Sequence, residues 1–392
     1  MEALDQIFVL LKHTLVSWFP VPVQPWVSAV VSIGAILAVF PMIFALTTVL
    51  ERKALGRIQN RPGPNRVGPA GFLQFAADGI KSLTKEDIVP RAADAVVHFL
   101  APLVVVVPPL LAMAVLPMGR NMGAIDLPET GLLFFLMVGT AVELGVFMAG
   151  WSSHNKYSLL GAMRALAQLL SYELPLLLST VSVIMLTGSL SLAAVIAKQA
   201  EVHAGVLLGW NVFTPWGAAG AVLFFIAALA EANRSPFDLP EAESEIVAGY
   251  FTEYSGFKFA LFFLGEYLGL FAVSGLGITL FLGGWLPPLT FFSWIPSWLW
   301  FFGKLAGLMG IFIWLRGTLP RLRMDQLMRF AWQFLLPMSL INLLVAGLWQ
   351  YSASWPYLLR WIPALALFGV PYLLYQRAFL RRHPPRTYRY AA

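Results

Sequence analysis

Between residues 231 and 254 the chain carries six carboxylates, Glu231, Asp238, Glu241, Glu243, Glu245 and Glu253, and a single base, Arg234. The whole chain of 392 residues holds only 20 Asp and Glu, so this run is a concentration. Its flanks, 212–230 and 259–284, are long and apolar. Carboxylates between two such segments are costly to place unless they bind something or move protons. A purely local reading covers part of the run. Asp238 stands three residues before Glu241, with Pro240 beside it, in the pattern of a helix N-cap and first turn. That accounts for Asp238, Glu241 and at most Glu243, and leaves Glu231, Glu245 and Glu253 unexplained.

Four more ionisable groups lie inside apolar segments: Glu143, Glu173, Glu266 and Lys304. Each is expensive in hydrocarbon, so each should face the protein interior or water. An isolated acid there is commonly a hydrogen bond between helices. Three acids, a lysine and an acidic loop together point to a path for protons or ions.

The elements that must hold these groups are membrane spans. Apolar residues make up 59% of the chain, charged residues 12%, and the mean hydropathy is +0.74. A soluble domain carries roughly twice that charge. Nine segments have the roughly 20 apolar residues that a span needs: 26–50, 96–118, 131–151, 165–188, 212–230, 259–284, 298–315, 331–351 and 357–376. The expected fold is therefore an all-α polytopic membrane protein forming one membrane domain over 1–392. Residues 1–19 are too short and interrupted for a span and read as an interfacial helix.

Lys and Arg set the expected orientation. One side collects the bases of the 51–94 loop, those near 156–164, 234–258 and 316–329, and the arginine-rich tail 377–392. The other has only Lys12, Arg120, Lys198 and Arg360. This places the 51–94 loop, the acidic loop 231–256 and the C-terminus in the cytoplasm, and the N-terminus outside. It also requires an odd number of spans. In the 51–94 loop, Pro62–Pro64 and Gly68–Pro69 force turns, and 72–83 has helical apolar spacing. That segment reads as a surface helix on lipid, or as a platform for a soluble partner.

Several functions are excluded or disfavoured. There is no cysteine, so this chain holds no disulfide and no thiolate-bound zinc or iron–sulfur cluster. Its five histidines have no pair at helical spacing, and neither a P-loop nor GxGxxG occurs, which argues against haem and nucleotide sites. The net charge of +6 is explained by topology rather than by nucleic acid.

Words along the chain resemble one family, the membrane-embedded H subunit of respiratory complex I, the proton-pumping NADH-quinone oxidoreductase. They are Glu51-Arg52-Lys53 with RPGPNRVGP at 61–69, FAAD at 75–78, TKE at 84–86 and NKYSLLGAMRALAQLLSYE at 155–173. AEANRSPFDLPEAESE at 230–245, GYFTEYSG at 249–256 and ALFFLGEY at 260–267 follow, then Trp314-Leu315-Arg316, Pro320-Arg321 and Asp325–Met328. The resemblance implies a multi-pass subunit of a bacterial plasma membrane. It would wall the quinone chamber and entry tunnel and link quinone reduction to proton translocation. The substrate would be ubiquinone or menaquinone. FMN and iron–sulfur clusters would sit in partner subunits, including the soluble one with the terminal cluster, and small membrane subunits would lead on to antiporter-like pumps. Carried over by position, Arg52, Arg61, Asp78, Arg164, Arg316 and Asp325 would line or brace the chamber. Glu143, Glu173, Glu231, Glu241, Glu243, Glu245, Glu253 and Glu266 would form the proton path. The chain would be part of an enzyme with no redox centre of its own.

Three other readings stay open, the first of them within the same lineage. The equivalent subunit of a membrane-bound hydrogenase would share the fold but use no quinone. A secondary transporter would show matched repeats with broken helices, and no repeat between the halves is visible. An inert anchor, its acids without function, is the remaining reading.

Overall fold

A computed structural model describes residues 5–203, 207–238, 248–356 and 359–382. Thirteen helices follow in chain order among them: α1 (Ile7–Ser17), α2 (Gln24–Ile58), α3 (Gln74–Thr84), α4 (Ala95–Val115), α5 (Gly131–Ser152), α6 (Lys156–Thr187), α7 (Leu192–Gln199), α8 (Pro215–Glu231), α9 (Gly256–Phe281), α10 (Ser297–Thr318), α11 (Met324–Phe330), α12 (Leu336–Tyr351) and α13 (Trp361–Arg382). The one sheet among the described residues is a two-residue antiparallel ribbon, Val202–His203 with Leu207–Leu208. The chain is thus all-helical in substance, as its composition requires.

Among the described residues, seven helical stretches are long and apolar enough to cross a membrane: 21–58, α4, α5, α6, α9, α10 and 324–351. Two of the nine expected segments fall short in different ways. α8 has 17 residues, about 25 Å at 1.5 Å per residue, against roughly 30 Å of hydrocarbon. It is an inner helix, with Leu223, Phe224 and the run Ala227–Ala230 all buried. α13 is helical over 22 residues but is not among the seven.

The first span differs from expectation at its C-terminal end. The helix does not stop at residue 50 but runs on to Ile58, so Glu51, Arg52 and Lys53 are helical rather than loop. ERKALGRI contains no proline to end the helix before the turn at 59–64. Gly56 then lets that turn close on the helix, because a Cβ there would lie 3.0 Å from both the Arg61 carbonyl oxygen and the Gly63 nitrogen. The helix expected over 72–83 is present as α3, Gln74–Thr84.

α9 is the hub. In its most apolar window 61% of residues are buried, against 6% in the first span. Between spans, packing rather than the hydrophobic effect supplies the attraction, so small residues let backbones approach. Val105 of α4 is wedged between Gly145 of α5 and Gly265 of α9, and a Cβ at either glycine would sit within 2.7 Å of its side chain. Helix ends are closed locally. Asn155 caps α6 by accepting from Tyr157 N, Thr214 caps α8 by accepting from Gly217 N, and α6 ends on Gly188 at φ +70°.

Candidate functional site

Four helices each deliver one carboxylate to a single cavity. Glu143 comes from α5, Glu173 from α6, Glu231 from the last position of α8 and Glu266 from α9. The cavity has a volume of about 70 Å3, which leaves room for a few waters at roughly 10–15 Å3 each. The rest of the wall is mainly apolar, with Val105, Phe135, Leu169 and Leu176 among its residues. Asn233 and Tyr250 also line it, and the Tyr250 hydroxyl donates to Glu266 Oε1 at 3.0 Å. Glu231 Oε2 is buried with no hydrogen-bond partner. Four carboxyl groups about one apolar-walled space have interdependent proton occupancies, because a proton gained by one changes the field at the others.

A second cluster is built around Glu51. This α2 residue is buried and accepts from the Tyr267 hydroxyl at 2.6 Å, from Arg234 Nη1 at 3.3 Å and from Arg316 Nη1. Its side chain is 6% exposed, that of Arg234 10% and that of Arg316 33%. The Arg234 guanidinium also lies over the Tyr267 ring, 4.0 Å from its centroid. Burial works against the Arg234 charge, but Tyr267, Glu51 and Glu266 more than offset it and hold its pKa above the ordinary arginine value. Thr47, Leu270 and Phe312 line a pocket beside the cluster.

One short turn joins the two clusters. Glu231 ends α8 in the cavity, and Arg234, three residues on, reaches Glu51. Asn233 takes φ +50°, and Ser235–Pro236 is a cis bond. The turn is held from α6 by Gln168, which donates from Nε2 to the carbonyls of Ala230 at 2.7 Å and Phe237 at 2.8 Å. On its other side, Leu322 N donates to the Pro236 carbonyl at 3.0 Å, and Arg321 Nη2 binds Asp238 Oδ2 at 2.6 Å.

The remaining sequence-picked residues divide. Arg52 pairs with Asp78 at 2.5 Å, and Gln74 steadies the same carboxylate at 3.1 Å, fixing α3 to the C-terminal end of α2. Arg61 donates to Gln59 Oε1 at 2.7 Å and is exposed. Arg164 is half-buried on α6, and Asp325 is exposed in the first turn of α11. Glu253 does not line the cavity. Its Oε1 accepts from Asn155 Nδ2 at 2.6 Å, the residue that caps α6. Glu241, Glu243 and Glu245 lie outside the described residues. Lys304 joins neither cluster: its ammonium donates to the carbonyls of Leu282, Gly284 and Leu286 at 2.7, 2.8 and 2.7 Å.

Sequence reasoning passed over Glu51, Arg234, Tyr267 and Gln168 as site residues. Arg234 had a signal, as the sole base in the acidic run. Glu51 had a weaker one, as an acid at the edge of a span. For Gln168 and Tyr267 only tertiary contacts supply it. Among the described residues, no group of three His, Cys, Asp or Glu is placed to hold a metal.

A family model described as NADH dehydrogenase matches residues 31–347. The NADH-quinone oxidoreductase H subunit of Dehalococcoides mccartyi strain CBDB1 is 51% identical over 298 residues, covering 76% of this chain and 80% of that protein. The H subunit of Geobacillus kaustophilus strain HTA426 is 46% identical over 317 residues, 80% of this chain and 92% of its own. That of Polaromonas naphthalenivorans strain CJ2 is 43% identical over 340 residues, 85% and 94%. Both clusters and the turn between them fall inside the matched stretch, and α13 lies beyond it.

Proposed function

Because this chain belongs to the NADH dehydrogenase family, among the H subunits of NADH-quinone oxidoreductase, we propose that it walls the quinone chamber of that enzyme and links quinone reduction to proton translocation. The observation that carries the reading is the convergence of Glu143, Glu173, Glu231 and Glu266, from four helices, on one cavity. A chain of carboxyl groups with room for water between them is what a proton path through an apolar region needs.

Reduction of a quinone takes up two electrons and two protons. Electrons would arrive from clusters on partner subunits, since cysteine is absent here. Arg316, with Arg52, Arg61, Asp78, Arg164 and Asp325 around the inner ends of the helices, would line or brace the chamber. Negative charge developing on the head group would pull on Arg316 and so on Glu51 and Arg234. The turn from Arg234 back to Glu231 would carry that change to the carboxylate cavity. The cavity acids would form the inner part of the path, and Glu241, Glu243 and Glu245 its approach from the loop. Glu253, bonded to the cap of α6, would brace the loop. The basic loops and tail support a cytoplasmic C-terminus and an outer N-terminus.

The test uses membranes carrying Glu231→Gln, with assembly checked on a native gel. NADH-driven quinone reduction and proton uptake are followed together. The reading expects an assembled complex in which both fall. Wild-type values for both in an assembled complex would remove Glu231 from the path and leave the cavity without its proposed role.

A further inference from the structure

We propose that Gln168 is a positioning residue: its amide clasps both ends of the 230–237 turn, so that Glu231 in the cavity and Arg234 in the Glu51 cluster shift together. This rests on the proton-coupled reading above and names the part that would transmit the coupling.

Gln168 is fully buried on α6. Its Nε2 reaches the Ala230 carbonyl at 2.7 Å, the Phe237 carbonyl at 2.8 Å and, less closely, Asn233 Oδ1 at 3.3 Å. Backbone carbonyls only accept, so the amide can be oriented in one way alone. The first carbonyl belongs to the last turn of α8 and the second to the far limb of the turn. One side chain therefore spans the loop's two ends. Its Oε1 is buried and meets no donor, so the residue's whole polar role lies in the NH2 group.

One helical turn on, Tyr172 makes the same connection in apolar form. Its ring packs edge-on against Phe237 at 5.2 Å, while its hydroxyl donates to the Leu327 carbonyl at 3.0 Å. The next residue, Glu173, enters the cavity. α6 thus presents a clasp and a cavity carboxylate on one rigid frame. Only two residues separate Glu231 from Arg234. With both ends of the turn held to α6, the turn cannot yield as a whole, so a pull on the Arg234 guanidinium is taken up between residues 231 and 234 and shifts the Glu231 carboxylate against Glu173. With the clasp gone, the turn can absorb the pull by its own bending, and quinone chemistry proceeds without driving the cavity.

The experiment compares Gln168→Leu and Gln168→Asn with wild type and with Glu231→Gln, in membranes with the complex assembled. Leu removes the donor at similar size. Asn keeps the amide but shortens its reach by one methylene. Quinone KM, turnover and protons taken up per NADH are measured. The expected result is an unchanged KM with protons per NADH reduced several-fold in Gln168→Leu and by a smaller factor in Gln168→Asn. A residue that only stabilised the fold would lower assembly and every activity together, leaving that ratio intact. A wild-type ratio in assembled Gln168→Leu overturns the proposal. If that variant fails to assemble, a wild-type ratio in Gln168→Asn overturns it. Should Glu231→Gln itself prove silent, the coupling reading falls; should it alone be impaired, only the clasp falls.

Discussion

Replacing Glu51 with Gln should destabilise the protein through Arg234 more than through the lost carboxylate itself. The substitution is nearly isosteric and keeps an acceptor for the Tyr267 hydroxyl. What it removes is the counter-charge of a guanidinium whose side chain is 10% exposed. Breaking a buried ion pair from one side costs about 3–5 kcal/mol. Arg316, one-third exposed, can turn to water and adds little. The expected cost is therefore at the low end, about 3 kcal/mol, or roughly a hundredfold in the folding equilibrium. Arg234→Met should cost a similar amount by leaving Glu51 short of a partner, although its chain still covers Tyr267. The double variant, with neither buried charge, should be more stable than the sum of the single effects allows. The assay is the temperature at which half of a fluorescently tagged protein stays monodisperse in detergent. A Glu51→Gln protein as stable as wild type, or a double variant whose loss equals the two single losses added, would refute the reasoning.

Three further outcomes follow from packing and capping. Gly161→Ala would place a Cβ 2.7 Å from the Gly249 carbonyl carbon and 2.8 Å from its Cα. The same thermal assay should show a loss of about 1–3 kcal/mol from overpacking. Lys304→Met strips three carbonyls after α9 of their donor and should cost about 3 kcal/mol, while quinone turnover per assembled complex stays at the wild-type value. Glu253→Gln keeps the oxygen that Asn155 donates to, so proton uptake should survive far better than in Glu231→Gln; equal loss in the two would return Glu253 to the path.

Much of this protein was legible as sequence because a bilayer demands long apolar runs and penalises charges within them. That rule alone located α4, α5, α6, α9 and α10 and marked Glu143, Glu173 and Glu266 as exceptions needing a reason. The acidic run and the family words likewise pointed to Glu231. Hydropathy served less well where burial is by protein. α8 is enclosed by neighbouring helices, so it can be shorter than a lipid-facing span. The C-terminal end of α2 was misplaced because a charged residue reads as loop, whereas Glu51 is helical and buried with its charge met by Arg234 and Arg316.

The sequence by itself determined an all-helical membrane chain, its family, and the acids that would be costly without a task. Only the tertiary structure decided which of them meet. Glu143, Glu173, Glu231 and Glu266 lie on four helices, and their convergence depends on how α4, α5, α6, α8 and α9 cross, which close contacts such as Val105 against Gly145 and Gly265 settle. The same crossings put Gln168 beneath the 230–237 turn and Glu51 beside Arg234. Partners 62 to 183 residues apart in the chain leave no trace in local spacing, because contact between spans is set by packing rather than by periodicity.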